Sequence, residues 1–132
     1  MMAKVTGLGG IFFKCADVAA TKNWYSTHLG LPTNDYGCTF WQEPAAPGVQ
    51  RISQQWSPFK KDTDYFEPGS QEFMVNYRVD DLVLLLENLK NDGVEMAGDM
   101  QSFEYGKFAW IIDIDGRKIE LWEPANEQLF EE

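Results

Sequence analysis

Met74–Met96, MVNYRVDDLVLLLENLKNDGVEM, changes its periodicity half-way along, and that change decides the fold. Up to Val79 the residues alternate. Val75, Tyr77 and Val79 form one apolar row, and Met74, Asn76 and Arg78 form the other, as on the two faces of a strand. Beyond the aspartates, Leu82, Leu85, Leu86 and Leu89 fall at i, i+3, i+4 and i+7, which lines them along one face of a helix. Asp80 or Asp81 suits the N-cap, where a short carboxylate accepts an amide that the first turn leaves unpaired. Gly93 offers the left-handed turn that ends the helix. The unit is a strand followed by a helix. An amide and a guanidinium on the strand's second face, Asn76 and Arg78, point to something other than a plain core.

Gly10–Pro32, GIFFKCADVAATKNWYSTHLGLP, repeats the pattern. A strand-like run ends at Asp17, a weaker helical run follows with Val18, Trp24, Tyr25 and Leu29 as its apolar positions, and Gly30 closes it. Shorter strand-like stretches come after each helix. They are Gly37–Glu43 and Val49–Trp56 in the first half, and Val94–Met96, Lys107–Asp113 and Lys118–Trp122 in the second. The Asp-Gly of DIDGRK, Asp113–Lys118, marks a hairpin turn. The coarse reading is β-α-β-β(-β), twice. SPFKKDTDYFEPGSQE, Ser57–Glu72, has prolines near both ends and mixed charge, so it reads as a linker that packs its aromatics on the core, with a lid at the cleft edge over Trp56–Phe66 as the alternative. The domain organisation is one domain, with module one at about 5–56, the linker at about 57–72, module two at about 73–124 and an acidic tail at 125–132.

The 132 residues suit one domain, or two very small halves sharing a core. The net charge of −10 argues against nucleic acid and against an anionic membrane surface as partners. No stretch approaches the roughly 20 apolar residues of a membrane span, and no secretory leader is expected, because the apolar run of the opening MMAKVTGLGGIFFK is short and broken by glycines and Thr6. Cys15 and Cys38 have no metal-knuckle spacing and read as reduced thiols, with a disulfide not demanded. A cytoplasmic protein is expected. Thr6–Gly10, TGLGG, precedes a strand and lacks the lysine of a phosphate loop, so it reads as a bend.

FFKCADVAATKNWYSTHLGL, YRVDDLVLLLENLKNDGVE and the closing YGKFAWIIDIDGRKIELWEP together resemble the vicinal oxygen chelate superfamily. That group holds the glyoxalases, the bleomycin-resistance proteins and the extradiol dioxygenases. The resemblance covers nearly the whole chain. It implies an α+β fold, with two βαβββ modules forming a curved mixed sheet around a central cleft and the helices outside.

Strand parity indicates which residues line that cleft, because the more apolar row of each strand packs on its helix. By this rule Phe12, Lys14, Asn76, Arg78, Glu120 and Trp122 face the concave side. Aligning ISQQW with KIELW adds Gln54, opposite Glu120, and Trp56. Ligand-binding candidates are therefore Phe12, Lys14, Gln54, Trp56, Asn76, Arg78 and Trp122. Metal-dependent members hold an ion at four strand positions, which the resemblance maps to Gly10, Gln54, Met74 and Glu120. Glycine has no ligand atom, and a thioether is too soft a donor for the usual divalent ions, so no metal cofactor is expected. His28, in the last turn of the first helix, is expected to cap or to pack.

Glu120 is the one catalytic candidate, as a general base if burial raises its pKa. The plainer alternative is an ion pair between Glu120 and Arg78 across the cleft. The functional expectation is a glyoxalase/bleomycin-resistance-like, metal-free protein that binds a small-molecule ligand in an aromatic cleft. The alternative is a glyoxalase/lyase- or dioxygenase-type enzyme using Glu120 and a non-standard metal set. A homodimer is expected in either case.

Overall fold

The computed structural model describes residues 3–44, 46–49 and 51–125. β1 (Val5–Cys15) leads into α1 (Val18–Leu29), followed by β2 (Cys38–Gln42) and β3 (Ile52–Lys60). β4 (Phe73–Val79), α2 (Leu82–Asn91), β5 (Gln101–Phe103), β6 (Gly106–Ile112) and β7 (Lys118–Pro124) repeat the theme. The described strands form one mixed sheet in the order β2-β3-β1-β4-β7-β6-β5. The first strands of the two modules, β1 and β4, run antiparallel at its centre. Each is flanked on its other side by the last strand of its own module, running parallel. The architecture is the expected α+β fold.

The helix starts follow the expected chemistry. Asp17 accepts from the Ala20 amide at 3.0 Å, and Asp81 accepts from the Leu84 amide at 3.1 Å. The Asp113–Gly116 turn joins β6 to β7 with the Gly116 amide bonded to the Asp113 carbonyl at 3.1 Å. Val94–Met96 contributes only an isolated bridge, Met96 to Ile111, and the outermost strand is Gln101–Phe103 instead. The tail at 126–132 lies outside the described residues.

The two helices cover the sheet unequally. Leu82 and Leu86 of α2 are buried with Val79, Ala109 and Leu121, and Tyr77, Ile111 and Ile119 pack around them. α1 buries no residue fully. Its Tyr25 meets Phe13 and Trp56 of the sheet, while Trp24 and Leu29 are exposed, contrary to the inward apolar face expected for them. Two register shifts in β1 bring Val5, Leu8 and Ile11 onto the same convex face as Val79, Tyr77 and Val75, and all three β1 residues remain open there.

A second core cluster lies on the opposite, concave face. Phe12, Met74 and Trp110 are joined there by Phe66 from the stretch expected to be linker. That stretch differs from the linker reading twice. β3 runs on to Lys60, and the segment after it folds back across the concave face. Its aromatics pack on the core as expected, but the face they cover is the one assigned to a ligand.

The unequal helices lead to a measurable difference. Leu82→Ala removes a fully buried side chain and is expected to lower unfolding free energy by ~3 kcal/mol. Leu29→Ala should change it by less than about 0.5 kcal/mol. Urea unfolding midpoints check both, and similar losses would contradict the packing described.

Candidate functional site

Glu120 lies on β7 in the middle of the concave face and is 2% exposed. A carboxyl taken this far from water needs its oxygens met from within the chain. Asn76 stands beside it in register on β4 and donates from Nδ2 to Oε1 at 2.6 Å. Trp110 stands beside it on β6 and donates from Nε1 to Oε2 at 2.9 Å. The Tyr65 hydroxyl, on the segment after β3, donates to the same Oε2 in a short bond. Three donors from three elements thus converge on one buried carboxyl.

Burial pushes the Glu120 pKa up, and the bonds from Tyr65, Asn76 and Trp110 together with the nearby Lys118 charge partly oppose the rise. Burial likewise pushes the Tyr65 phenol well above its ordinary value, and the Glu120 charge adds to this. Lys118, two residues before Glu120, donates from Nζ to the Tyr65 carbonyl at 2.6 Å. Desolvation lowers its pKa, against the fields of Glu120 and Asp64.

Among the expected ligand-binding residues, Phe12, Asn76, Arg78 and Trp122 are buried on this face. Lys14 places Nζ 5.7 Å from the Phe66 ring centre. Arg78 does not form the expected pair with Glu120. It donates from Nη1 to the Ser53 carbonyl at 3.2 Å, and its guanidinium lies 5.0 Å from the Trp122 ring centre. Trp122 in turn stacks on Phe108, with centroids 5.9 Å apart and planes 10° from parallel.

Gln54 and Trp56 are misplaced by the repeat alignment. Trp56 pairs with Ile11 and packs on Tyr25 of α1 at 4.8 Å, so its row, Gln54 included, faces the helix. The residues of β3 that face the cleft are the alternate ones, including Ser57, which pairs with Phe12. Phe12 and Asn76 both stand five residues before their N-cap aspartates, so Ser57 is the true counterpart of Glu120. Over Ile52–Trp56 the alternation is ambiguous because Gln54 interrupts the apolar row; only the longer strand, with Ser57 and Pro58 added, shows Ser53, Gln55 and Ser57 as the more polar side. Tyr65 and Trp110, both on Glu120, were missed because nothing local ties either to a carboxyl beyond its own strand or segment.

No family model and no curated protein matches the sequence. Among solved structures, a methylmalonyl-CoA epimerase from Mycobacterium tuberculosis aligns with a TM-score of 0.60 at 21% identity, over 96% of this chain and 93% of that one. A variant of the Streptomyces coelicolor methylmalonyl-CoA epimerase, in complex with 2-nitronate-propionyl-CoA, gives 0.68 at 13% identity, over 92% and 99%. The Mn(II)-bound glyoxalase from Novosphingobium aromaticivorans gives 0.61 at 14% identity, over 92% of this chain and 40% of that one. The fold is that of the vicinal oxygen chelate superfamily.

With the observed register of β3, the four strand positions that the resemblance gives to an ion become Gly10, Ser57, Met74 and Glu120. They do not fit a divalent ion. A glycine, a hydroxyl, a thioether and one carboxyl are a poor donor set, and the carboxyl is already engaged by three donors. Any side chain at Gly10 would overlap the Gln55 backbone. Among the described residues no three of His, Cys, Asp and Glu are grouped to hold a metal.

The raised pKa of Glu120 has a pH consequence of definite sign. The folded chain keeps a proton that the unfolded chain releases near the ordinary value of 4.5. The contribution of Glu120 to folding stability is therefore fully present below that pH and is lost as pH rises through its raised folded-state value. Glu120→Gln removes this titration. The new amide can keep its oxygen towards Tyr65 and Trp110, while a turned-over Asn76 presents Oδ1, which is buried and unpartnered among the described residues. Relative to wild type, the variant is expected to gain melting temperature as pH rises. A wild-type-to-variant difference that is flat with pH, measured by calorimetry, would contradict a raised Glu120.

Proposed function

We propose that this chain is a glyoxalase/bleomycin-resistance-like protein that binds a small organic molecule on the concave face of its sheet without a divalent metal. One observation carries the reading. The last acidic residue at the superfamily's metal positions, Glu120, is buried and bonded to Tyr65, Asn76 and Trp110, which suits it to receive a hydrogen-bond donor from a ligand rather than an ion. Phe12, Phe59, Phe108 and Trp122 supply the apolar walls.

A second reading, acid–base chemistry of the glyoxalase or lyase type with Glu120 as the proton-transferring group, draws on the same burial. A carboxyl with a raised pKa takes up and returns a proton more readily near neutral pH than an ordinary one. In both readings the protein is a cytoplasmic homodimer, with the open convex strip of Val5, Leu8 and Ile11 as a surface for the second copy to cover. Among the described residues no helix is long and apolar enough to cross a membrane.

A thermal-shift screen of small organic molecules, followed at the Trp110 indole N–H by nuclear magnetic resonance, tests the proposal. A hit is expected to raise the melting temperature, to shift that indole and, at a pH where Glu120 is ionised, to bind about tenfold more weakly to Glu120→Gln, as for the loss of a charged hydrogen-bond acceptor. Titration with Mn(II), Ni(II) and Zn(II) should show no stoichiometric site. One equivalent of tightly held metal, with ligand binding lost on chelation, would overturn the metal-free reading.

A further inference from the structure

The segment between β3 and β4 is attached to the rest of the fold in an unusual way. Its described backbone bonds are local: Thr63 to the Lys60 carbonyl, Glu67 to the Asp64 carbonyl and Gly69 to the Phe66 carbonyl. Among the described residues no ladder bond ties 61–71 to a strand. Only at Glu72 does the Lys14 amide reach its carbonyl, at 2.7 Å. Side chains do the holding instead. The Tyr65 hydroxyl bonds Glu120, Lys118 Nζ bonds the Tyr65 carbonyl at 2.6 Å, and Phe66, 1% exposed, packs among Phe12, Met74 and Trp110. A strap fixed only by side chains can lift as a piece and leave every strand pairing intact.

The place where Tyr65 sits has the features of a ring-binding site. Its ring lies 7° from parallel with Phe59, centroids 5.6 Å apart, and meets Trp110 edge-on at 83° and 6.4 Å. Lys118 Nζ stands 5.0 Å from its centroid. A flat ring gains from the stack, the edge contact and the cation together. The hydroxyl matters separately, because a molecule displacing Tyr65 without a donor leaves a buried carboxyl oxygen short of a partner. A carboxylate would bring its own charge into a desolvated place and offers no donor to Glu120, and an aliphatic amine has no face for Phe59.

We infer that Tyr65 is the resident occupant of the ligand site, and that the molecule it gives way to is a phenol, a flat ring with a donor hydroxyl. This rests on the concave-face reading above and adds the ligand class. A tethered occupant competes at the high effective concentration set by its short tether. The apparent affinity for a free phenol is then reduced by the fraction of time the strap is lifted.

Phenol itself is the probe, titrated calorimetrically into wild type and Tyr65→Ala, with the Trp110 indole N–H followed by nuclear magnetic resonance and toluene as the hydroxyl-free control. Removing the ring leaves a cavity of about ring size, the kind of space a small aromatic fills. Phenol is expected to bind Tyr65→Ala at least about tenfold more tightly than wild type, if the strap is lifted no more than about a tenth of the time. It should also bind that variant about tenfold more tightly than toluene, the discrimination of one buried hydrogen bond. Equal phenol affinity in the two proteins overturns the occupancy. Equal affinity for phenol and toluene overturns the ligand class. A Tyr65→Ala protein with native circular dichroism and no phenol binding overturns both. Should that variant not fold, Tyr65→Phe keeps the packing and loses only the hydroxyl bond. It is expected to bind phenol severalfold more tightly than wild type, and unchanged affinity overturns the inference. The concave-face reading fails on a different result, a wild-type ligand from the screen that leaves the Trp110 indole unmoved.

Discussion

Glu120 enters a region that water does not reach, and every one of its oxygens has to be met from within the chain. An unpartnered carboxyl there costs several kcal/mol. Asn76 and Trp110 meet the requirement because each stands directly beside Glu120 on a neighbouring strand. A slip of one residue in either pairing would turn the donor to the helix side and leave the carboxyl bare. The buried group therefore fixes the register of β4, β7 and β6, and with it the row of residues that faces the concave side. Tyr65 completes the set from outside the sheet, which makes the path of the segment after β3 part of the same requirement.

The two modules answer the same geometric positions with different chemistry. Where module two places Asn76 beside Glu120, module one places Phe12 beside Ser57. The carboxyl thus faces an aromatic wall rather than a second polar set, and Phe66 fills the space between. Gly10 sharpens the asymmetry, since the close approach of the Gln55 backbone excludes any side chain from the place that corresponds to Met74 in module two. A site of this kind discriminates by shape and by hydrogen bonding at one point, not by the charge of an ion.

Much of the fold was readable from periodicity. The shift from alternation to helical spacing at Val79–Leu82, the two cap aspartates and the Asp-Gly hairpin are local signals, and the local signals held. Parity placed Phe12, Asn76, Arg78, Glu120 and Trp122 because in β1, β4 and β7 one row is plainly more apolar. For β3 the alternation over Ile52–Trp56 alone is ambiguous, and the repeat alignment used in its place puts Gln54 and Trp56 on the wrong side. The helical spacing of Trp24 and Leu29 was likewise a poor guide, since α1 rests on the sheet through Tyr25 and leaves both outside. Tyr65 was beyond reach for another reason. Its partner is 55 residues away in the chain, and a loop aromatic carries no period to say where it lands.

The slight anchoring of α1 acquires meaning once the strap is considered with it. α2 closes a well-filled core, and the fixed donors to Glu120 stand on β4 and β6, within or beside that core. The strap springs from β3, the strand that α1 covers thinly, and meets Glu120 at Tyr65, five residues beyond that strand's end. With α1 less deeply packed than α2, amide protons of α1 are expected to exchange faster than those of α2. The protein thereby divides labour between its halves: the permanent partners of the carboxyl are carried by the stiff one, and the removable partner is hinged on the pliant one.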